Sequence, residues 1–84
     1  MQISEVWSVS SGRVRDFFLA RHDVCREEND RFLFGQCEIR IVPLPLRKVG
    51  GFRFPQTRVE FDGPAPDTEE IHRLFVLQFI SAGG

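Results

Sequence analysis

Near the C-terminus, Leu74-Phe75-Val76-Leu77-Gln78-Phe79-Ile80 offers a single polar side chain. Such a run must be covered, because each large apolar side chain left in water forgoes roughly 1.5–3 kcal/mol of burial. Read as a helix, Ile71, Leu74, Phe75, Val76, Leu77, Phe79 and Ile80 occupy the whole circumference, with Gln78 on the face of Ile71, Leu74 and Phe75. Read as a strand, Leu74–Ile80 would be a central one, and periodicity does not separate the two for so short a run. The residues upstream favour the helix. Asp67-Thr68-Glu69-Glu70 has the form of a capping box with Asp67 in the place of Ser or Thr. Its acids sit at the positive end of the helix dipole. A helix from Asp67 to about Ser81, stopped by Gly83-Gly84, is the preferred reading.

The chain has room for one core. It has 84 residues, is 42% hydrophobic and carries a net charge of −1, so it reads as one folded domain over 1–84 and not as a disordered chain. No apolar run approaches the ~20 residues of a membrane helix. The start, Met1-Gln2-Ile3-Ser4-Glu5, lacks a secretory pattern. With only two Cys, that points to a reducing, cytoplasmic setting. All but one of the basic residues are Arg, Lys48 being the exception. We read this as the codon usage of a GC-rich bacterial genome.

The remaining elements follow from local pattern. Ile3 to Val9 alternates loosely as a strand, Ser10 and Ser11 offer N-cap oxygens, and Gly12 to about Arg21 places Val14, Phe17 and Phe18 on one helical face. Val24–Glu28 reads as a short strand closed by Asn29-Asp30. From Phe32 to Val42 the period is two, with Leu33, Gly35, Cys37, Ile39 and Ile41 on one face and Gln36, Glu38 and Arg40 on the other. Thr57–Phe61 alternates with Val59 and Phe61 inward, and Gly50-Gly51 is a hairpin turn pair. A tight turn there pairs residues whose numbers add to 101, which would set Ile41 opposite Glu60. A slip of one residue corrects the clash, so a bulge or bend is expected near Pro43 and Pro45, separating the tip from its base. The expected fold is α+β: a two-layer sandwich with a three- to four-stranded, mainly antiparallel sheet and two helices on one face. The strand reading of 74–80 gives the alternative, a ferredoxin-like βαββαβ order.

The chemistry-bearing motifs are sparse. The sequence contains no G-x-S-x-G, Walker loop, G-x-G-x-x-G, H-E-x-x-H or C-x-x-C. No catalytic residue, metal ligand or cofactor is assigned, and enzyme activity is left open with a non-enzymatic role preferred. His22, Cys25, Cys37 and His72 lack the paired spacing of a structural zinc site. A hairpin centred on Arg31 would set Cys25 opposite Cys37, where a disulfide is conceivable, but two buried reduced thiols are expected.

Charge is the informative feature. Residues 1–39 balance at −2, residues 40–58 at +5 with no acid, and residues 59–84 at −4. Arg47, Lys48, Gly50, Gly51 and Arg53 form a candidate anion site: the glycines expose backbone N–H groups, and Phe52 and Phe54 interleave with the bases. The opposing reading is that the basic and acidic segments neutralise each other across neighbouring strands, or that the bases only protect a sheet edge. The net charge of −1 argues against a dedicated nucleic-acid binder. The leading expectation is a small non-enzymatic module that self-associates as a homodimer, or docks on a protein, through Val76, Phe79 and Ile80. Anionic-ligand or nucleic-acid binding at the 46–54 tip is the alternative.

Overall fold

Two-residue turns at Asn29-Asp30, Gly35-Gln36 and Gly50-Gly51 fold the middle of the chain into a meander. In each, the first turn residue has positive φ: 58° at Asn29, 56° at Gly35 and 60° at Gly50. The computed structural model describes residues 1–83. Its elements are β1 (Gln2–Trp7), α1 (Ser11–Leu19), β2 (Cys25–Glu28), β3 (Arg31–Phe34), β4 (Cys37–Val49), β5 (Phe52–Asp62) and α2 (Ala65–Gly83). The sheet order is β1-β5-β4-β3-β2, with every neighbouring pair antiparallel. The α+β class therefore holds, but with a five-stranded sheet in place of the three to four strands expected. The order is βαββββα, and Leu74–Ile80 is helical, so the ferredoxin-like alternative is set aside.

Gly35 accounts for the extra strand. Phe32–Val42 was expected as one strand, but it folds back at Gly35-Gln36, and β3 pairs with β4 through Phe32↔Ile39 and Phe34↔Cys37. The turn reverses the parity of β3. Phe32 and Phe34 share the inner face with Cys37 and Ile39, while Leu33 sits opposite Glu38 on the outer face. Gly35 is needed twice over. Its φ suits glycine, and a Cβ there would lie 2.7 Å from Asp67 Oδ2.

Asp67 does not cap α2 as the sequence suggested. The helix begins two residues earlier, where Thr68 N donates to Pro64 O at 3.0 Å. Asp67 reaches across instead, its Oδ2 accepting from Gln36 N at 2.9 Å and tying the first turn of α2 to the β3–β4 turn. At α1 the cap is as expected: Ser10 Oγ accepts from Arg13 N at 3.3 Å. α2 runs through Gly83; the Gly84 half of the anticipated stop lies outside the described residues.

Both helices lie on one face and share one core. Val14, Phe17 and Phe18 of α1 meet Ile71, Phe75 and Phe79 of α2 over Cys25, Phe32, Cys37, Ile39, Val59 and Phe61 of the sheet. Ile71, Phe75 and Phe79 repeat every fourth residue, so only one stripe of the apolar stretch of α2 is fully covered. Phe79, expected on a second, outward side, is 8% exposed and packs on Phe75 at 4.7 Å between ring centroids. Phe75→Ala is expected to cost about 3–5 kcal/mol in urea unfolding. Leu77→Ala, on the solvent side of the same helix, should change stability by less than ~0.5 kcal/mol. Equal losses would mean that the core stripe of α2 is wrongly assigned.

Candidate functional site

The β4–β5 hairpin is longer than either neighbour can cover. β3 stops pairing with β4 at Arg31↔Arg40, and β1 stops pairing with β5 at Trp7↔Thr57. Beyond these points the hairpin continues alone to Gly50-Gly51 as a two-stranded arm, in a molecule whose longest dimension is 42 Å. The register changes where the prolines were expected to break it. Ile41 pairs with Val59 and Leu44 with Gln56, then Arg47 pairs with Phe54, with the irregularity between Leu44 and Arg47. β4 thus carries one extra residue, and Ile41 avoids Glu60.

That slip sets what the arm displays. Lys48 faces Arg53, while Arg47 faces Phe54 and Val49 faces Phe52. Cross-strand partners share a face, so one side of the ribbon carries Lys48 and Arg53, and the other carries Arg47, Val49, Phe52 and Phe54. Phe52 is 73% exposed and Phe54 42%. Their ring centroids are 6.4 Å apart at an interplanar angle of 34°. An ideal Cβ built on Gly50 or Gly51 would meet nothing within 4 Å, so the turn is open. All five anticipated anion-site residues are brought together on this tip. Phe52 and Phe54, with exposed Leu46 and Val49, complete a surface that the charge pattern alone did not assign.

Mutual neutralisation accounts for the basic segment only in part. On the outer face of the sheet, Arg40 Nε lies 2.5 Å from Glu38 Oε1 and Arg31 Nη1 lies 3.0 Å from Glu38 Oε2. Arg58 and Glu60 approach to 4.0 Å. The Arg40 hydrogen bond, helped by Arg31, holds the Glu38 carboxyl below its ordinary value. Glu38 in turn raises Arg40. Among the described residues, Arg47, Lys48 and Arg53 make no such pair. Two like charges opposed at Lys48↔Arg53 are unfavourable without a counter-charge.

The other polar groups are arranged for structure. His72 Nε2 lies 2.8 Å from Glu5 Oε1, which also accepts from Trp7 Nε1 at 3.3 Å. Their separation of 67 residues hid this pairing from the sequence. His22 is exposed on the turn after α1. No group of three or more His, Cys, Asp or Glu among the described residues could hold a metal ion. A groove between the helices is floored by Phe17 and Phe79, with Arg21 stacked 3.8 Å from the Phe17 centroid and Arg13 5.9 Å from that of Phe79. Asp16 and Gln78 line the same groove.

Cys25 and Cys37 are free and buried. They are not opposite each other, because the Gly35 turn inserts β3 between them: Cys25 pairs with Phe34, which pairs with Cys37. Two strand spacings, roughly 10 Å, exceed the ~7 Å limit for a disulfide. The β2–β3 hairpin thus closes at Asn29-Asp30 and not around Arg31, which starts β3. No helix among the described residues is long and apolar enough to cross a membrane. No family model matches the chain, and no curated protein matches it.

Burial pushes both thiols above their ordinary value of 9.0, with Arg21 beside Cys25 and the Thr68 hydroxyl beside Cys37 pulling the other way. As pH rises past that value the unfolded chain releases its thiol protons before the folded one does. Stability is therefore full below about pH 9 and falls as pH climbs toward the folded values. With no Tyr and a single Lys, few other groups titrate there. Urea midpoints are expected to drop from about pH 8.5 to 10.5. The Cys25→Ala/Cys37→Ala variant should show a flatter profile. An unchanged slope would mean that the thiols are not the source.

Proposed function

We propose that this chain is a non-enzymatic binding module whose working surface is the projecting β4–β5 arm, and that the arm docks on an anionic macromolecule. The observation that carries the reading is Arg47, Lys48 and Arg53 standing without ion-pair partners beside exposed Phe52 and Phe54. Edge protection alone needs charge but has no use for two solvent-facing aromatic rings. The rings withhold burial that would otherwise stabilise the fold, and exposed apolar groups set among charges mark contact surfaces.

The net charge of the chain makes the test sharp. A protein with a net charge of −1 at pH 7 has no overall reason to stay on a heparin column, so retention reports a local patch. The wild type should be retained and released by salt. Arg47→Gln/Lys48→Gln/Arg53→Gln should flow through with its unfolding free energy within ~0.5 kcal/mol of the parent. A triple variant that elutes with the wild type would remove the arm from consideration.

A second reading, two copies meeting through α2, is favoured by Leu77 at 54% and Ile80 at 62% exposure. Val76 is half-buried and Phe79 packs in the core, so this interface centres on Leu77 and Ile80. It requires concentration-dependent sedimentation that Ile80→Glu abolishes; a monomer at every concentration would discard it.

A further inference from the structure

A docking surface for a folded protein takes about 20–30 residues a side, and the arm from Leu46 to Phe54 has nine. A ribbon of that size suits a ligand held by a few separable contacts. Resting on the reading of the arm as an anion-docking element, we propose that its partner is single-stranded nucleic acid. Bases stack on Phe52 and Phe54 beside Arg47, which holds a phosphate on the same side of the ribbon, and Lys48 and Arg53 on the opposite side hold phosphates where the strand passes round the ribbon edge.

Ring geometry selects the single strand. Phe52 and Phe54 lie on the same side of the ribbon with centroids 6.4 Å apart, nearly twice the ~3.4 Å rise along a duplex strand. Bases seated on these rings would have to part from their own neighbours, which a single strand allows at little cost and a duplex does not. In a duplex, the ring faces of the bases are occupied by their neighbours. Stacking on an aromatic ring is tolerant of base identity, so the contact reads strandedness more than sequence. A polymer of acidic residues alone, such as poly-glutamate, supplies charge but no aromatic face for the two rings.

Charge placement removes the objection raised by the net charge. Glu38 and Asp62 pair at the base of the hairpin. The acid nearest the tip on these two strands is Glu60, seven positions along β5 from Arg53, about 23 Å along an extended strand. The Debye length at physiological salt is about 8 Å. A strand approaching the tip therefore meets the local positive charge and little of the distant negative one.

Fluorescence anisotropy of the full chain with short labelled oligothymidylate tests this, with a blunt duplex and poly-glutamate as competitors. Binding should weaken with salt at a log–log slope of about −2, for three phosphates neutralised on a single strand. Phe52→Ala and Phe54→Ala should each weaken binding roughly tenfold. Phe52→Leu, which keeps apolar bulk without the ring, should lose as much. Duplex and poly-glutamate should compete poorly, and unchanged thermal melts would show that the variants remain folded. Heparin retention without oligonucleotide binding, binding indifferent to both Phe changes, or equal competition by poly-glutamate would overturn the single-strand assignment while leaving an anion-docking arm. Loss of the difference between wild type and triple variant on heparin would instead overturn the arm itself.

Discussion

The rings of Trp7, Phe17, Phe18, Phe61 and Phe79 surround Phe75, with centroids between 4.7 and 5.9 Å away. Through this one side chain α2 touches α1 and both the edge and the centre of the sheet. Several of the contacts are edge-on, the arrangement that the ring quadrupole favours. A domain this small has little core to spare, and six of the twelve buried apolar residues among those described are Phe. Phe carries no polar handle, so the cluster can close on all sides without leaving an unsatisfied hydroxyl. Of the two buried polar residues among those described, Thr57 donates Oγ1 to Val9 O at 2.6 Å, at a rung whose partner, Pro43, has no N–H, whereas Thr68 Oγ1 has no hydrogen-bond partner.

With the core fixed at one end, the hairpin is free to run on. The aromatic cluster needs β4 and β5 only from about Cys37 to Ile41 and from Thr57 to Phe61. Beyond Arg40 and Thr57 no third strand among the described residues pairs with them, and the start of α1 (Ser11, Gly12 and Arg15) faces them at Ile41 and Pro43. The inserted residue between Leu44 and Arg47 decouples the two parts. Below it, register is dictated by which residues must be buried; above it, by the Gly50-Gly51 turn. One strand pair thus serves as both scaffold and projection.

Electrostatics divides along the same line. At the base, acids and bases on adjacent strands neutralise one another through Glu38, Arg31 and Arg40, and each such exposed contact adds little stability. On the arm the bases have no acid in reach. A near-zero net charge is consequently a poor guide to what this surface attracts.

Sequence alone determined what depends on neighbours along the chain. The α1 face of Val14, Phe17 and Phe18, the Ser10 cap, the Asn29-Asp30 and Gly50-Gly51 turns and the one-residue slip on β4 are consequences of period, turn chemistry and parity. The tip that gathers Arg47, Lys48, Gly50, Gly51 and Arg53 was legible for the same reason. Tertiary structure decided what depends on competition between distant groups. The Gly35 turn looked like a small residue inside an alternating strand, because only the chance to pair Phe32 with Ile39 and to receive Asp67 makes folding back favourable. Asp67 left its expected cap for Gln36 N, and His72 found Glu5 across the chain. The stripe of Ile71, Leu74 and Phe75 was legible, but apolar side chains lie on every side of 71–80, so its period could not show that Phe79 joins it in the core. Sheet and α1 together had to choose Phe79.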